Sequence, residues 1–465
     1  MFGIAVNNRA DLRKEENTAM SPRTRIFWFT SVHCLFCVMA FVTLSPTTVW
    51  SDKLDIAYSF KRGNRGGLSM ATIDSATGKI LHQNVKYESG HCTTPKKVRP
   101  VGDGKTFIVT HDDETRPFVF IIDTHDPQLN RLIELPGLPD EVRIVGTQAI
   151  VTCSKDFIVT IDIPSRRILG MWDASTYLTP PGNHPQDILI TPDEKYAIVS
   201  FQKDSPGGKK LGGRLTMFKL PGMDVVSDIV LGRDYDGWEL ENNIRKTGPG
   251  LELIFLDEEN NTLLSTADHY GAVALMRWSE FKLGQLKKLE YRSTAFDQSW
   301  GHAFPDRGIQ VNFGDGSYCL ICNAGAKGGS VIVDLKTWSV VHRMQTRFGL
   351  EKPVYIPELK KAFATCPGKH KTRTRGTIVK TYEPTSGLTV FEFDATDPKK
   401  TAVRTIPQAE NTYQMGVLKR QGMTPLFVLT SGQDQASRIV VFDPARETVL
   451  DNHKSIGTAI QFEKN

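Results

Sequence analysis

Cysteine is scarce in this sequence, with seven residues in a chain of 465. An odd number without regular spacing remains after residue 51: Cys92, Cys153, Cys319, Cys322 and Cys366. That excludes a disulfide framework of the kind that holds small secreted domains together, although one bridge in an oxidising compartment is left open. Cys319 and Cys322 have C-x-x-C spacing, but they fall in a predicted strand, where residues i and i+3 point to opposite faces. We therefore predict neither a zinc site nor a redox site there.

An excess of charge of one sign is also missing. The whole chain has 57 basic and 52 acidic residues. Without the first 51 residues it has 52 basic and 49 acidic residues, a net charge of +3. A net charge so close to zero does not indicate a nucleic-acid-binding surface. The sequence contains no C-x-x-C-H, G-x-S-x-G, Walker loop or H-E-x-x-H motif, so no covalent haem or standard hydrolase site is encoded. We predict no metal site and leave the cofactor unknown.

Long apolar runs are absent except for residues 26–44. Arg23 and Arg25 precede this run, and Val49 and Ser51 take the −3 and −1 positions of a cleavage site before Asp52. This order is typical of a secretory signal, with an uncleaved membrane anchor as the alternative and Met20 as an alternative start. We predict that residues 1–51 are a signal peptide with an upstream extension and that residues 52–465 form one domain. The mature chain is then exported, periplasmic or extracellular, without a membrane span.

A repeated unit accounts for the rest of the chain. It is clearest from His184, where HPQDILITPDEKYAIVSF leads through a loop to GRLTMFKLPGMDVVSDIVL, four short strands joined by turns. The 38 Gly and 25 Pro suit many such turns. The same order recurs at 94–135, 138–172, 249–289, 300–344, 351–406 and 413–452. Four such strands make one propeller blade.

Fragments of a further unit stand at both ends of the mature chain. Residues 54–86 supply three strands but no inner first strand, and IGTAIQF near the C-terminus supplies a first strand with nothing after it. Joined, they make an eighth blade that closes the ring and removes exposed sheet edges. We predict an all-β, eight-bladed β-propeller of four-stranded antiparallel blades. Seven blades are the alternative if the trimmed 138–172 unit packs irregularly.

Aspartate marks the end of the third strand in six units. The residues are Asp74, Asp123, Asp162, Asp334, Asp394 and Asp443. Six repeated carboxylates suggest metal binding at first sight. Aspartate side chains also accept hydrogen bonds from turn amides two residues on, which ends strands efficiently. We predict that these six are turn residues.

The element ITPDEKYAIVSF resembles the SPDG-x-x-x-[YV]V element of YVTN-type bacterial propeller repeats. The mature chain is similar to the superfamily of the quinoprotein amine dehydrogenase β-chain and to the propeller of cytochrome cd-type nitrite reductase. GDGK at 102–105 and FGDGSY at 313–318 keep the turn of this element, whereas Gly146-Thr147 is trimmed. The resemblance implies the fold and favours no single activity.

The repeat alignment predicts which residues meet at one mouth of the central channel. Aligning each first strand on Asp187 places Lys97, Glu141, Glu252 and Lys352 at equivalent positions, with His184 and His302 nearby. Alternation along the strands makes the flanking residues core: Val98, Val142, Ile188 and Leu253. A mixed ring of this kind is expected to bind a polar ligand. The alternative is a solvated channel whose charges pair across it.

A second candidate site is the basic loop after Pro367. Its basic residues include Lys369, His370, Lys371, Arg373 and Arg375. Two other long loops, 204–213 and 233–248, are predicted on the same face. Long loops on a rigid scaffold are often functional, and a basic one attracts phosphate, sulfate or carboxylate groups. The alternative is a mobile, solvated loop with no ligand.

Two functions fit these observations. The first is an exported, non-catalytic binding module that presents a loop-rich, partly basic face to a protein, a glycan or an anionic small ligand. The second is an enzyme or redox subunit, resembling lactonase, quinoprotein or haem-binding propellers, with its site at the channel mouth. We expect a monomer that binds no nucleic acid.

Overall fold

The computed structural model describes residues 52–63, 65–89, 95–111, 113, 115–154, 156–178, 183–203, 213–231, 248–297, 302–374, 377–382, 386–410, 412–431, 438–456 and 458–464. The predicted signal peptide lies outside these ranges, so its cleavage and the domain boundary after residue 51 stay predictions. The long loops predicted at 204–213 and 233–248 also lie almost entirely outside them. Among the described residues, no helix is both long and apolar enough to cross a membrane.

The first half of the chain supplies three strands of one blade and three complete blades. The described part of the chain begins with β1 (Lys53–Arg62), β2 (Arg65–Asp74) and β3 (Ile80–Ser89). Blade 1 consists of β4 (Pro95–Pro100), β5 (Thr106–His111), β6 (Phe118–Asp123) and β7 (Arg131–Glu134). Blade 2 consists of β8 (Pro139–Val145), β9 (Gln148–Cys153), β10 (Phe157–Asp162) and β11 (Arg167–Asp173), followed by the single-turn helix α1 (Ala174–Tyr177). Blade 3 consists of β12 (Asn183–Ile190), β13 (Tyr196–Lys203), β14 (Gly213–Lys219) and β15 (Asp224–Leu231).

The second half follows the same order, with one insertion in blade 6. Blade 4 consists of β16 (Leu251–Asp257), β17 (Thr262–Ala267), β18 (Ala272–Arg277), the helix α2 (Trp278–Lys282) and β19 (Leu289–Ser293). Blade 5 consists of β20 (Pro305–Phe313), β21 (Gly316–Asn323), β22 (Ser330–Asp334) and β23 (Val340–Met344). Blade 6 consists of β24 (Glu351–Ile356), β25 (Lys361–Thr365), the inserted hairpin β26 (Lys369–Thr374) and β27 (Thr377–Tyr382), β28 (Ser386–Glu392) and β29 (Ala402–Glu410). Blade 7 consists of β30 (Thr412–Arg420), β31 (Met423–Ser431), β32 (Arg438–Asp443) and β33 (Thr448–Lys454), and the last strand is β34 (Thr458–Lys464).

The two chain ends together complete the ring. β34 pairs antiparallel with β1, with Tyr58 opposite Phe462, and blade 8 has the order β3-β2-β1-β34. β34 packs between the first strands of blades 7 and 1, which are β30 and β4. The 138–172 unit forms the regular sheet β8 to β11. The protein is therefore an eight-bladed propeller of four-stranded antiparallel blades, as predicted, and the seven-bladed alternative is wrong.

The hydrophobic core lies between the blades. The described residues form eight buried clusters, each built from two adjacent blades. In β13, Ile198 packs toward blade 4 while Val199 packs toward blade 2, because successive side chains of a strand point to opposite faces. Cys319 and Cys322 separate in the same way, one toward blade 4 and the other toward blade 6. Burial raises the pKa of the Cys322 thiol to about 12, which argues against a reactive pair.

The six repeated aspartates are turn residues, as predicted. Each carboxylate accepts backbone N–H bonds two or three residues on; Asp334, for example, accepts from Lys336 and Thr337, both at 2.8 Å. The others make the same kind of contact: Asp74, Asp123, Asp162, Asp394 and Asp443. Among the described residues, no group of three or more metal-binding side chains is placed to hold an ion.

Candidate functional site: the channel mouth

Each inner strand is bulged near its N-terminal end. In blade 2, Pro139 pairs with Cys153 and Val142 with Val151, so Asp140 and Glu141 together oppose the single residue between those partners. Corresponding register shifts occur in the inner strands of all eight blades. A bulge re-aims side chains and breaks the regular alternation of the strand. The eight bulges therefore form a ring of irregular backbone around one mouth of the channel.

Hydroxyl groups on the second strands hold most of these bulges in place. They accept the backbone N–H of Lys97 (from Thr110, 2.9 Å), Glu141 (Thr152, 3.0 Å), Asp187 (Ser200, 3.1 Å), Leu253 (Thr266, 3.0 Å) and Gln414 (Thr430, 2.9 Å). The Ser200 hydroxyl also donates to the Glu252 carbonyl of the next blade at 2.6 Å. Thr152 donates likewise to the Gln186 carbonyl at 3.2 Å. Neighbouring blades are thus joined by hydrogen bonds immediately behind the channel surface.

The structure corrects the predicted alignment in two blades. Leu253 and Pro353 take the position of Asp187, whereas Glu252 and Lys352 stand one residue earlier. For the same reason Leu253 is only half-buried, and Ile254 is the core residue. Val98, Val142 and Ile188 are buried as predicted. The error comes from the assumption of strict alternation, which holds in a regular strand and fails where two residues oppose one.

Glu141 lies at the centre of the first charged group, which we call the Glu141 cluster. Its carboxylate contacts Lys97 Nζ at 3.2 Å, Arg99 Nη2 at 2.8 Å and Arg143 Nη1 at 2.7 Å. Arg143 continues to Asp187 Oδ1 at 3.1 Å. Burial opposes ionisation of Glu141, but the three cations outweigh it and hold the pKa of this carboxyl well below its ordinary value. In this part of the channel the charges are paired, as the alternative prediction had it.

Lys371 lies at the centre of the second group, the Lys371 cluster. Its Nζ is 3.1 Å from both carboxylate oxygens of Asp268 and 3.5 Å from Asp306 Oδ2. Arg307 contacts Asp306 Oδ1 at 3.2 Å and Glu351 Oε2 at 2.9 Å. Burial disfavours the Lys371 cation, yet the neighbouring carboxylates raise its pKa above the ordinary value. A buried cation that is paired twice is held firmly in place.

The candidate basic loop is therefore a docked hairpin over much of its length. Lys371 is buried, donates its N–H to the Ala324 carbonyl at 2.7 Å and accepts from Ala326 N at 3.0 Å. His370 is buried with its ring 4.8 Å from that of Phe348, and Lys369 is half-buried. Burial of both residues and the ion pairs of Lys371 anchor this part of the hairpin, and anion binding by Lys371 and His370 stays a prediction. Arg375 lies outside the described residues, and for Arg373 only the backbone in β26 is described.

Glu252 has a different environment from Glu141. Gln202 Nε2 donates to its Oε1 at 2.6 Å, while the carboxylates of Asp306 and Asp268 lie nearby. Burial, followed by repulsion from Asp306, raises the pKa of Glu252 to about 8, although Lys371 and Arg307 act in the opposite direction. At neutral pH this carboxyl group is predominantly protonated.

Lys352 is a cation of the channel mouth that pairs with no carboxylate among the described residues. It makes no hydrogen bond and no ion pair with any other described residue, and it is half-buried. Burial, followed by repulsion from Lys97, Arg307 and Arg99, lowers its pKa to about 7, while Glu141 counteracts this only in part. Its backbone is in the left-handed region, with φ of 41°, directly before Pro353. Such a conformation costs free energy in a residue with a side chain and is disfavoured before proline, a form of strain concentrated at functional sites.

The structure places the two predicted histidines beside other residues. His184 is half-buried, with Nε2 3.9 Å from Asp140 Oδ2. His302 is exposed and lines a separate surface cavity with Phe296 and Lys327. The geometry therefore supports a ligand-binding role at the channel mouth less for these histidines than for the carboxylates and cations.

Several channel residues were missed by sequence reasoning. They are Arg99, Arg143, Asp268, Asp306, Arg307, Glu351 and Tyr413. One signal was available for Arg307: proline opens Pro95-Lys96-Lys97, Pro139-Asp140-Glu141, Pro185-Gln186-Asp187 and Pro305-Asp306-Arg307 alike. Proline at the start of a strand has a positional meaning that the alignment on charge did not use. Asp268 carried no such signal, because it lies in a 3₁₀ turn after β17.

Known proteins match this chain by fold. No protein-family model and no curated protein matches the sequence. Among solved structures, the dihydro-heme d1 dehydrogenase NirN is similar with 11% identity and a TM-score of 0.57, over 89% of this chain and 75% of that one. The C-terminal WD40 domain of Sif2 has 10% identity and a TM-score of 0.50, over 84% and 97%. The quinohemoprotein alcohol dehydrogenase ADHIIG from Pseudomonas putida HK5 has 10% identity and a TM-score of 0.50, over 76% and 66%. Likeness at this level of identity shows the β-propeller fold alone.

Proposed function

We propose that this propeller is a binding protein for a small anion, of the carboxylate or phosphate class, held at the channel mouth. Lys352 carries the proposal: it is a half-buried amine beside three other cations, and no carboxylate of the described residues pairs with it. Each other cation named in the two clusters contacts at least one carboxylate. An anion supplies the missing charge, and so it binds most tightly when Lys352 is protonated.

Lys97 and Arg99 of blade 1 and Arg307 of blade 5 support this role. They are the cations whose repulsion lowers the pKa of Lys352, so an anion beside Lys352 is attracted by all four. Arginine forks match planar oxygen pairs, which favours carboxylate and phosphate groups. Hydrogen bonds from side-chain hydroxyl groups hold the main chain of the bulges in place, so the site is formed before the ligand arrives.

Calorimetric titration of the purified chain with inorganic phosphate, sulfate and citrate tests the proposal. We expect binding below neutral pH, proton uptake by Lys352 on binding, and affinity that falls by up to about tenfold per pH unit above pH 7. Lys352→Met is expected to abolish both binding and proton uptake without lowering stability, because it removes a cation that burial and repulsion disfavour. Lys380→Met, on the exposed part of β27, is the matched control and should bind like the parent protein. Equal binding by the parent and Lys352→Met, or no binding of any of the three anions by the parent, would contradict the proposal.

The second candidate, an enzyme at the channel mouth, is favoured by one observation. Lys352 and Glu252 have pKa values of about 7 and about 8, in the range where general acids and bases work best. The same titration separates the two functions. A ligand recovered chemically unchanged after prolonged incubation supports the binding protein, whereas turnover that Glu252→Gln abolishes supports the enzyme.

A further inference from the structure

The outermost strand of blade 2 differs in composition from its counterparts. β11 reads RILGMWD, and its first five residues are exposed. Ile168, Leu169 and Met171 have exposed fractions of 38%, 55% and 57%. Other outermost strands carry charges within their length, for example Lys86 in β3 and Asp451 in β33. Between its two end residues β11 has five uncharged residues, four of them exposed, whereas the short β7 has two uncharged residues there, neither of them exposed.

An uncharged edge strand is a template for pairing with another chain. β11 is hydrogen-bonded to β10 on one side, and no described strand pairs with its other side. Natural propellers and sheets protect such edges with charged residues, short strands or bulges. A bulge is present at Leu169, but similar bulges occur in β3, β15, β23 and β33. The bulge is therefore a common feature of the blades, and the exposed run of apolar residues is what distinguishes β11.

The sequence of β11 is complementary to itself in antiparallel register. With Gly170 opposite Gly170 of a second copy, Leu169 faces Met171, Ile168 faces Trp172 and Arg167 faces Asp173. Arg167 is exposed and makes no ion pair with another described residue. Asp173 accepts hydrogen bonds from Ser175 N at 2.8 Å and Oγ at 2.6 Å as the cap of α1, and a carboxylate has further acceptor sites for an arginine. Opposite charges thus meet at both ends of an apolar centre.

A groove beside the strand offers room for the partner's side chains. Leu169, Met171 and Trp172 line a cavity of about 350 Å³ together with the turn Pro221, Gly222 and Met223 of blade 3. Methionine is flexible and fills irregular apolar spaces well. A two-fold axis at Gly170 repeats this contact on both copies, which is the closed arrangement most common among soluble oligomers.

We propose that a second copy of this chain docks on β11, by antiparallel pairing centred on Gly170 with Arg167 opposite Asp173. Two four-stranded blades then form one eight-stranded sheet across the interface. Sequence analysis predicted a monomer; the exposed apolar strand and its charge complementarity argue for a dimer.

Light scattering coupled to size-exclusion chromatography, over a range of chain concentrations, measures the state directly. The parent chain is expected at twice the chain mass, and Met171→Lys at the chain mass, because a lysine at the strand centre blocks pairing. Val85→Lys, at a similarly exposed apolar position of β3, is the matched control and should remain dimeric. A monomeric parent at every concentration, or a Met171→Lys variant that stays dimeric, would overturn the proposal.

The register is tested by exchanging charges. Arg167→Asp is expected to raise the dissociation constant of the dimer by about tenfold or more, since like charges then face each other at both ends. The double variant Arg167→Asp with Asp173→Arg restores opposite charges and is expected to recover the dimer. Recovery depends on the two residues facing each other across the interface, so loss of the α1 cap alone cannot produce it. A double variant that dimerises no better than the single one would overturn the register centred on Gly170.

Discussion

Glu141 and Glu252 lie in equivalent bulges two blades apart, yet their pKa values shift in opposite directions. Three cations surround Glu141 and keep it ionised, while Asp306 and Asp268 surround Glu252 and help burial to keep it protonated. The difference comes from the neighbouring blades, because each channel residue meets side chains from the strands on either side. The charge of a channel residue is thus a property of the ring and cannot be assigned blade by blade.

The largest expected effect comes from Lys371, the cation on the Glu252 side of the channel. Lys371→Met leaves Asp268 and Asp306 buried without their partner and is expected to lower the free energy of unfolding by about 3–5 kcal/mol. Denaturant unfolding near neutral pH measures it. The exposed Lys380→Met is the control and should change stability by less than about 0.5 kcal/mol. A Lys371→Met variant as stable as its control would show that the hairpin does not depend on this cation.

An intermediate effect is expected from removing the charge of Glu141. Glu141→Gln leaves Lys97, Arg99 and Arg143 with one fewer negative charge, so we expect the free energy of unfolding to fall by about 2 kcal/mol. At a pH well below the pKa of Lys352, where this residue stays protonated, the proposed anion should bind more tightly, because Glu141 no longer competes for these cations. Unfolding and anion titration on the same variant measure both. Glu134→Gln, which removes an exposed partner of Arg116, is the control and should change neither quantity. Weaker anion binding by Glu141→Gln would separate the Glu141 cluster from the anion site.

The effect expected from Glu252 depends on pH and disappears at low pH. Because its folded-state pKa is raised to about 8, the folded protein keeps a proton that the unfolded chain releases between about pH 4.5 and pH 8. Stability from this group is therefore full below the unfolded pKa and is lost as the pH rises through that window. Glu252→Gln keeps an oxygen to accept the Gln202 bond and cannot ionise, so it should be more stable than the parent by about 4 kcal/mol near pH 8 and equal to it near pH 4. Unfolding by urea at both pH values tests the sign, and a variant that is less stable near pH 8 would mean that Glu252 is ionised in the folded protein.

The order of the strands could be predicted because it repeats. Turn aspartates such as Asp334 and apolar runs such as those of β13 recur at the same spacing, and local hydrogen bonds explain both. Ring closure by β34 could also be predicted, since blade 8 lacked one strand and the C-terminus had one left over. The inserted hairpin was missed, because a run of basic residues is typical of a solvated loop. The sequence does not show that distant carboxylates pair with Lys371.

The sequence by itself determined the number of blades, the turn positions and the set of polar residues that begin the inner strands. These properties depend on contacts between residues close together in the chain, and so they leave a periodic record. Only the tertiary structure decided which of two adjacent residues occupies each bulge position, which charges pair, and which cation is left without a partner. Lys352 lies in blade 6, and the three cations that repel it lie in blades 1 and 5. Lys97 and Lys352 are more than 200 residues apart in the sequence. Electrostatic interactions act through space and are not recorded in the spacing along the chain.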